Sequence, residues 1–254
     1  MKFVATIQAR MGSSRLPGKV LMQAGGKPFL QRHVERVMMS RLVDKIIIAT
    51  TVEPADDAIA ELGRLHGIEV FRGSEDDVLG RVATCLQPYS GWGHVELVGD
   101  SPFVDPQIID EFVGFFLKNK ETVDYVSNGI EISYPNGAEV NVYSVDSLLE
   151  CDKRVGKHNP MREHVDVHLY QSGLYKCENL LAPPWFNRPD LYLEVDTPKD
   201  YQVMKAIGDH FEAKDKKIFT LSDIIDFLSD NPDIAAINQR EHRKYWEIKG
   251  ISGA

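Results

Sequence analysis

The stretch Lys2-Phe3-Val4-Ala5-Thr6-Ile7-Gln8, followed directly by Ala9-Arg10-Met11-Gly12-Ser13-Ser14-Arg15-Leu16-Pro17-Gly18-Lys19, decides the reading of this chain. Its first seven residues are a short β-rich run, long enough for a buried strand and too short for a helix. The strand empties into a segment with two glycines, two serines, Arg10, Arg15 and Lys19. No Asp or Glu occurs before Glu35, so the first 34 residues carry six positive side chains and no negative one, while the whole chain stands at −9. A concentrated positive field at the end of a first strand, on an otherwise acidic protein, suits a polyphosphate. Glycines admit backbone N–H groups close to anionic oxygens, serines add donors, and the cations neutralise charge. A solvated basic turn is the plainer alternative, and the placement after the strand with no acid nearby argues against it.

Outward from this stretch, strand and helix signals alternate. An amphipathic helix is predicted from Pro28 to about Ser40, and Asp44 to Thr50 is a continuous apolar run, the mark of a strand covered on both faces. Pro54 to His66 reads as a helix with Gly67 as its C-cap, Ile68 to Phe71 as a strand, about Ser74 or Asp76 to Gln87 as a helix and His94 to Val98 as a strand. Asp105-Pro106 opens a further helix to about Lys118. The alternation predicts a three-layer α/β/α sandwich on a mostly parallel mixed sheet, whose ligands gather at the carboxyl ends of the strands. Arg10, Thr50, Arg72 and Asp100 fall at such ends.

From 124 to 190 the rhythm breaks into short β-like runs, a helix predicted over Pro160–Gln171, and an irregular Pro183-Pro184-Trp185-Phe186 stretch. This segment reads as an insertion for acceptor contacts and self-association within a single 1–254 domain. Trp185 and Phe186 are read as core aromatics before an exposed anchor. Leu191 to Val195 is expected to return to the sheet. Thr197, Pro198 and Asp200 form a capping set for the next helix, which leaves Asp196 free to face the site. Residues 211–254 read as a helical tail.

Composition is that of an ordinary globular protein, with 43% hydrophobic and 26% charged residues. The acidic balance argues against nucleic-acid partners. Three scattered cysteines with no CxxC pair indicate reduced thiols and a cytoplasmic setting. No apolar run approaches the length of about 18 residues that a membrane span requires.

The loop is not a Walker motif: five residues separate Gly12 from Gly18-Lys19, and Val20 stands where a magnesium-binding Ser or Thr would be. It does resemble the nucleotide-binding loop of the sugar-activating cytidylyltransferases, the group that includes the acylneuraminate and 3-deoxy-manno-octulosonate enzymes. More closely it resembles the spore coat polysaccharide biosynthesis (SpsF-like) branch, whose pattern IQARMGSxRLPGKVL is matched throughout Ile7–Leu21. Gly73-Ser74-Glu75-Asp76-Asp77-Val78-Leu79, Gly99-Asp100-Ser101-Pro102, Arg162-Glu163-His164-Val165 and Val195-Asp196-Thr197-Pro198 match the branch's GSExDVL, GDxP, REHV and VDTP.

The resemblance implies a nucleotide-diphospho-sugar transferase (glycosyltransferase-A-like) fold. It implies a Mg²⁺-dependent enzyme that joins CMP from CTP to a sugar, sugar acid or similar acceptor, with release of pyrophosphate, in polysaccharide or glycoconjugate synthesis. The nucleotide would be held by Ala9, Arg10, Met11, Gly12, Ser13 and Asp77, and Arg15 and Lys19 would act on its phosphates. Asp100 and Asp196 would hold the metal, and Glu139, Asn141, Arg162 and Glu163 would face the acceptor. A homodimer is expected. The departures fall on the acceptor side: Asn141 replaces an acid, Tyr192 a basic residue and Glu194 a Thr. Two alternatives stand beside this reading: a glycosyltransferase consuming a nucleotide sugar, and a catalytically silent nucleotide-binding module. His164 and His168, at i and i+4 on the predicted helix, have a zinc-compatible spacing but lack an HExxH context and a third ligand.

Overall fold

The computed structural model describes residues 1–249, with side chains to His242. Strand β1 (Phe3–Gln8) lies third from one edge of a seven-stranded sheet. Two further strands, β2 (Gln23–Ala24) and β3 (Lys27–Pro28), form a hairpin apart from it, turned by Gly25 and Gly26 with φ of 54° and 73°. Positive φ at both positions is what a two-residue hairpin turn of right-handed twist requires. Helix α1 (Phe29–Val37) leads to β4 (Lys45–Thr51), parallel to β1. Helix α2 (Asp57–Leu65) leads to β5 (Glu69–Gly73), parallel to β4. Helix α3 (Val78–Leu86) returns the chain to β6 (Gly93–Val98), on the other side of β1 and parallel to it.

Helix α4 (Pro106–Asn119) follows, then β7 (Tyr125–Ser127) and β8 (Asn141–Ser144). Strand β8 inserts antiparallel between β6 and β7. After α5 (Val145–Arg154) and α6 (Val167–Gln171), β9 (Cys177–Asn179) closes the order β5-β4-β1-β6-β8-β7-β9, parallel to β7. The segment 124–190 thus supplies three strands to the one sheet. Helices α7 (Pro198–Ala213), α8 (Leu221–Asp230) and α9 (Pro232–Lys249) complete the described chain.

Alternate residues of the central strands feed two cores, one per face. Phe3, Ala5, Ile7 and Ile48 join side chains of α1, α4, α7 and α8. Val4, Ile47 and Ala49 join those of α3, α5 and α6. Burial on both faces is why these strands read as unbroken apolar runs. No described helix is long and apolar enough to cross a membrane.

Three expectations are corrected. Residues 160–171 are not one helix: Pro160–Glu163 is a 3₁₀ turn capped by Asn159, His164 is extended, and α6 begins only at Val167. The break has a tertiary cause. The half-buried Asp166 carboxylate accepts from Tyr125 Oη at 2.6 Å and Asn141 Nδ2 at 3.0 Å, which pins the chain across the sheet where a helix would have continued. The i, i+4 relation of His164 and His168 disappears with the helix, and no three metal-ligating side chains converge among the described residues.

Residues 191–195 do not rejoin the sheet either. They run beside 134–138, linked by a bridge between Asn136 and Tyr192, and Val195 N donates to the carbonyl of Asp100 at 2.9 Å. Finally, Trp185 is 66% exposed, while Phe186 packs against Tyr134 and the core.

Candidate active site

The basic loop opens at the carboxyl end of β1 and is folded by its own backbone. The carbonyl of Met11 accepts the amides of both Ser13 and Gly18 at 3.0 Å, and Gly18 takes a φ of 75°, in the left-handed region that favours glycine. Beyond Gly18 a 3₁₀ turn, Lys19–Leu21, carries Lys19 inward. The loop is anchored by Asp56, a buried carboxylate. Its Oδ1 accepts Met11 N at 2.7 Å, while its Oδ2 accepts Thr50 Oγ1, Thr51 N and Thr51 Oγ1. Burial works to raise this carboxyl, and the hydrogen bonds from Thr51, Met11 and Thr50 outweigh it and hold it below the usual carboxylate range. The amides of Gly12, Ser14 and Arg15 are left without partners among the described residues, three donors on the rim of the loop.

Close packing of strand ends brings β6 to the same place. Gly99 N donates to the carbonyl of Gln8 at 2.8 Å, and a Cβ on Gly99 would lie 2.7 Å from that oxygen, so only glycine fits where the Gly99-Asp100 turn crosses β1. Asp100 then faces Lys19. The Lys19 ammonium donates to Asp100 Oδ2 and Asp196 Oδ1, each at 2.8 Å, so those two oxygens are no farther apart than twice that distance. Arg15 Nη2 adds a second cation 2.9 Å from Asp196 Oδ1. Burial would lower the Lys19 ammonium, and the two carboxylates outweigh it and raise it above the usual lysine value. Burial would likewise raise Asp196, and the hydrogen bond and charge of Lys19, with help from Tyr192 and Arg15, hold it below the usual range.

The Tyr192 hydroxyl lies 2.8 Å from Asp196 Oδ2 and 2.9 Å from Glu194 Oε2. Burial and the charges of Asp100, Glu139 and Asp196 push the Glu194 carboxyl well above the usual carboxylate range.

The basic loop, Lys19, Asp100 and Asp196 line a cleft of about 410 Å³. Of the residues singled out by sequence, Ala9, Arg10, Gly12, Ser13, Arg15, Lys19, Asp100, Glu163 and Asp196 stand in its wall. Met11 packs behind the loop. Asp77 caps α3 and receives Arg162 Nε and Nη2 at 2.8 and 3.0 Å. Arg162 is buried, shared with Asp152 and the carbonyl of Val155, and lies in an adjoining depression. Asn141 is spent on Ser127 and Asp166, and Glu139 accepts Gly137 N at 2.6 Å.

The cleft also contains Gln8 and Arg81, given no role from the sequence, and His164, weighed there only for its zinc-compatible spacing. Arg81 is buried, donates to the carbonyl of Ser74, and keeps Nε without a partner among the described residues. Burial and the charge of Arg10 lower its guanidinium. A buried, incompletely satisfied cation beside the cleft is a preset donor for a bound anion or carbonyl.

Comparison with known proteins follows the same outline. An uncharacterized protein of Methanocaldococcus jannaschii is 38% identical over 251 residues, covering 98% of this chain and 100% of its own. The spore coat polysaccharide biosynthesis protein SpsF of Bacillus subtilis is 32% identical over 234 residues, covering 90% of this chain and 95% of that protein. The solved structure of a cytidylyltransferase from Leptospira borgpetersenii serovar Hardjo-bovis superposes with a TM-score of 0.85 at 28% identity, over 92% of this chain and 97% of that one. With residues 4–227 matching the family described as cytidylyltransferase, the basic loop, the seven-stranded sheet and the facing carboxylates find their common setting: this chain belongs to the cytidylyltransferase family.

Proposed function

We propose that this protein is a nucleotidyltransferase that joins CMP, taken from CTP, to a small sugar-like or acidic acceptor and releases pyrophosphate. The observation that carries the reading is the Lys19 ammonium held between Asp100 and Asp196 at the base of a basic, amide-lined loop. A cation so placed needs only to turn from the carboxylates to meet the phosphates of a nucleotide lying along the loop. The free amides of Gly12, Ser14 and Arg15, the Arg15 and Arg10 guanidinium groups and the Ser13 hydroxyl then bind non-bridging oxygens. As an acceptor oxygen attacks the α-phosphorus and the bond to pyrophosphate breaks, Lys19 and Arg15 meet the charge that grows on the leaving group.

Magnesium suits the donor set. Two carboxylates facing one point beside a polyphosphate cleft, with no third protein ligand among the described residues, match an ion that takes one or two carboxylates and completes its shell with phosphate and water. Asp100 and Asp196 would hold it, and it would supply Lewis-acid polarisation of the phosphates. The acceptor would lie against Glu163 and His164, on the cleft wall beside the Asp77–Arg162 pair.

Pyrophosphate release, followed by a coupled assay across CTP, UTP, GTP and ATP with a panel of sugar and sugar-acid acceptors, tests the reading. Release with CTP and one acceptor class is expected. No release with any pair would refute it.

A further inference from the structure

Helix α9 lies beyond the last residue of the family match, yet it reaches the base of the site. Asn238 Nδ2 donates to Asp200 Oδ1 at 2.9 Å and to the carbonyl of Tyr192 at 3.0 Å. His242 Nε2 meets the same Asp200 Oδ1 at 2.7 Å. The imidazole lies flat on the Tyr192 ring, with centroids 3.3 Å apart and planes 9° from parallel. Asn238, His242 and Asp200 are all buried.

A capping box uses one carboxylate oxygen, and Asp200 Oδ2 performs it, accepting the amides of Asp196 and Thr197 at 3.1 and 2.7 Å. The other oxygen could have faced water at no cost to the cap. It is instead enclosed and satisfied by two side chains from a helix some forty positions later.

Two lines of contact converge on one carboxylate. From the main chain, α9 fixes Asp200, and Asp200 holds the amide of Asp196. From the side, His242 and Asn238 fix the ring and carbonyl of Tyr192, whose hydroxyl meets Asp196 Oδ2 at 2.8 Å. We propose that Asn238 and His242 are positioning residues that set the Asp196 carboxylate through Asp200 and Tyr192, making α9 part of the working site although none of its described side chains lines the cleft. The proposal rests on the nucleotidyl-transfer reading only for what Asp196 does once positioned.

The test uses the full chain. His242→Phe keeps an aromatic ring against Tyr192 and deletes the nitrogen that meets Asp200, whereas His242→Gln restores a nitrogen donor. Three quantities are read: hydrogen exchange of peptides spanning residues 191–200, kcat and KM for CTP in the pyrophosphate assay, and Tm. His242→Phe is expected to speed exchange in 191–200 about tenfold and to lower kcat about tenfold or more, with KM for CTP within about twofold. His242→Gln should recover most of both. Unchanged exchange and kcat in His242→Phe would overturn the proposal, as would a loss in both variants that tracks Tm and spreads evenly over the exchange map. If His242→Phe fails to fold, Asn238→Ser takes its place, with the same readouts and the same overturning results. If the wild-type protein releases no pyrophosphate with any substrate pair, the functional reading falls, and local exchange alone decides the positioning.

Discussion

Replacing Lys19 by Met removes one ammonium and leaves two carboxylates facing each other. Lys19 is 9% and Asp196 6% exposed, so this interaction is not at the solvent-screened limit of a surface pair. Breaking a fully buried pair by deleting one partner costs about 3–5 kcal/mol. Here Asp100 keeps a 27% exposed side chain and Arg15 remains 2.9 Å from Asp196, so the cost falls to about 2–3 kcal/mol. In a chain of this length that is a drop of roughly 5–10 °C in Tm.

The pH dependence has a definite sign. The depressed Asp196 contributes stability that is present above the unfolded carboxyl value of about 4 and is lost as pH falls through its lower folded value. The raised Lys19 contributes stability that is complete below about 10.5 and is lost as pH rises through its higher folded value. The stability difference between wild type and Lys19→Met should therefore form a plateau from about pH 4 to about pH 10 and shrink at both ends. Denaturant titrations across that range measure it. In turnover, loss of a charge-assisted contact that strengthens as pyrophosphate leaves is worth about 2–4 kcal/mol, roughly a 30- to 900-fold fall in kcat. A stability change below about 0.5 kcal/mol at neutral pH, or a rise in KM for CTP with kcat intact, would refute the role assigned to Lys19.

Asp100→Asn and Asp196→Asn, nearly isosteric changes, should each abolish most turnover while the protein remains folded by circular dichroism. The double variant should be scarcely slower than the worse single one, because residues acting on one ion are non-additive, and additive losses would separate their roles. Burial lowers His33 and His94 each to about 3, with the charge of Arg36 adding to the effect at His33. Since the unfolded chain binds these protons near pH 6.5, stability is full above that value and falls below it, by about 2 kcal/mol per histidine at pH 5. Neither ring nitrogen of His33 has a partner among the described residues, so His33→Met should remove about half of this acid loss in Tm measured from pH 8 to pH 5, and an unchanged slope would refute the assignment.

The core strands and the basic loop were legible because their signals are local. Phe3–Gln8 and Lys45–Thr51 each carry an apolar stretch with side chains on both faces, Phe3 to Ala5 and Ile46 to Ala49, since both faces of the sheet are covered. The loop's cations, glycines and serines lie within eleven consecutive residues. The capping set at Thr197 and Asp200 was readable for the same reason: its hydrogen bonds span three positions. Even Asp196 could be singled out, as the acid that this cap leaves unused. What brings it to Asp100 was not readable, because Leu191–Val195 is no sheet strand and the approach is made by one backbone hydrogen bond, Val195 N to Asp100 O.

Tertiary structure also decided the partners of Arg162 and Asn141, whose contacts with Asp77 and Asp166 lie 85 and 25 positions away. It broke the helix predicted over 160–171 by tying Asp166 to the Tyr125 hydroxyl. Asn238 and His242 show the limit most plainly. In sequence they are ordinary polar residues of a closing helix, and only packing places both on the carboxylate of Asp200. A hydrogen bond between distant residues depends on where two elements dock, and no local spacing encodes that.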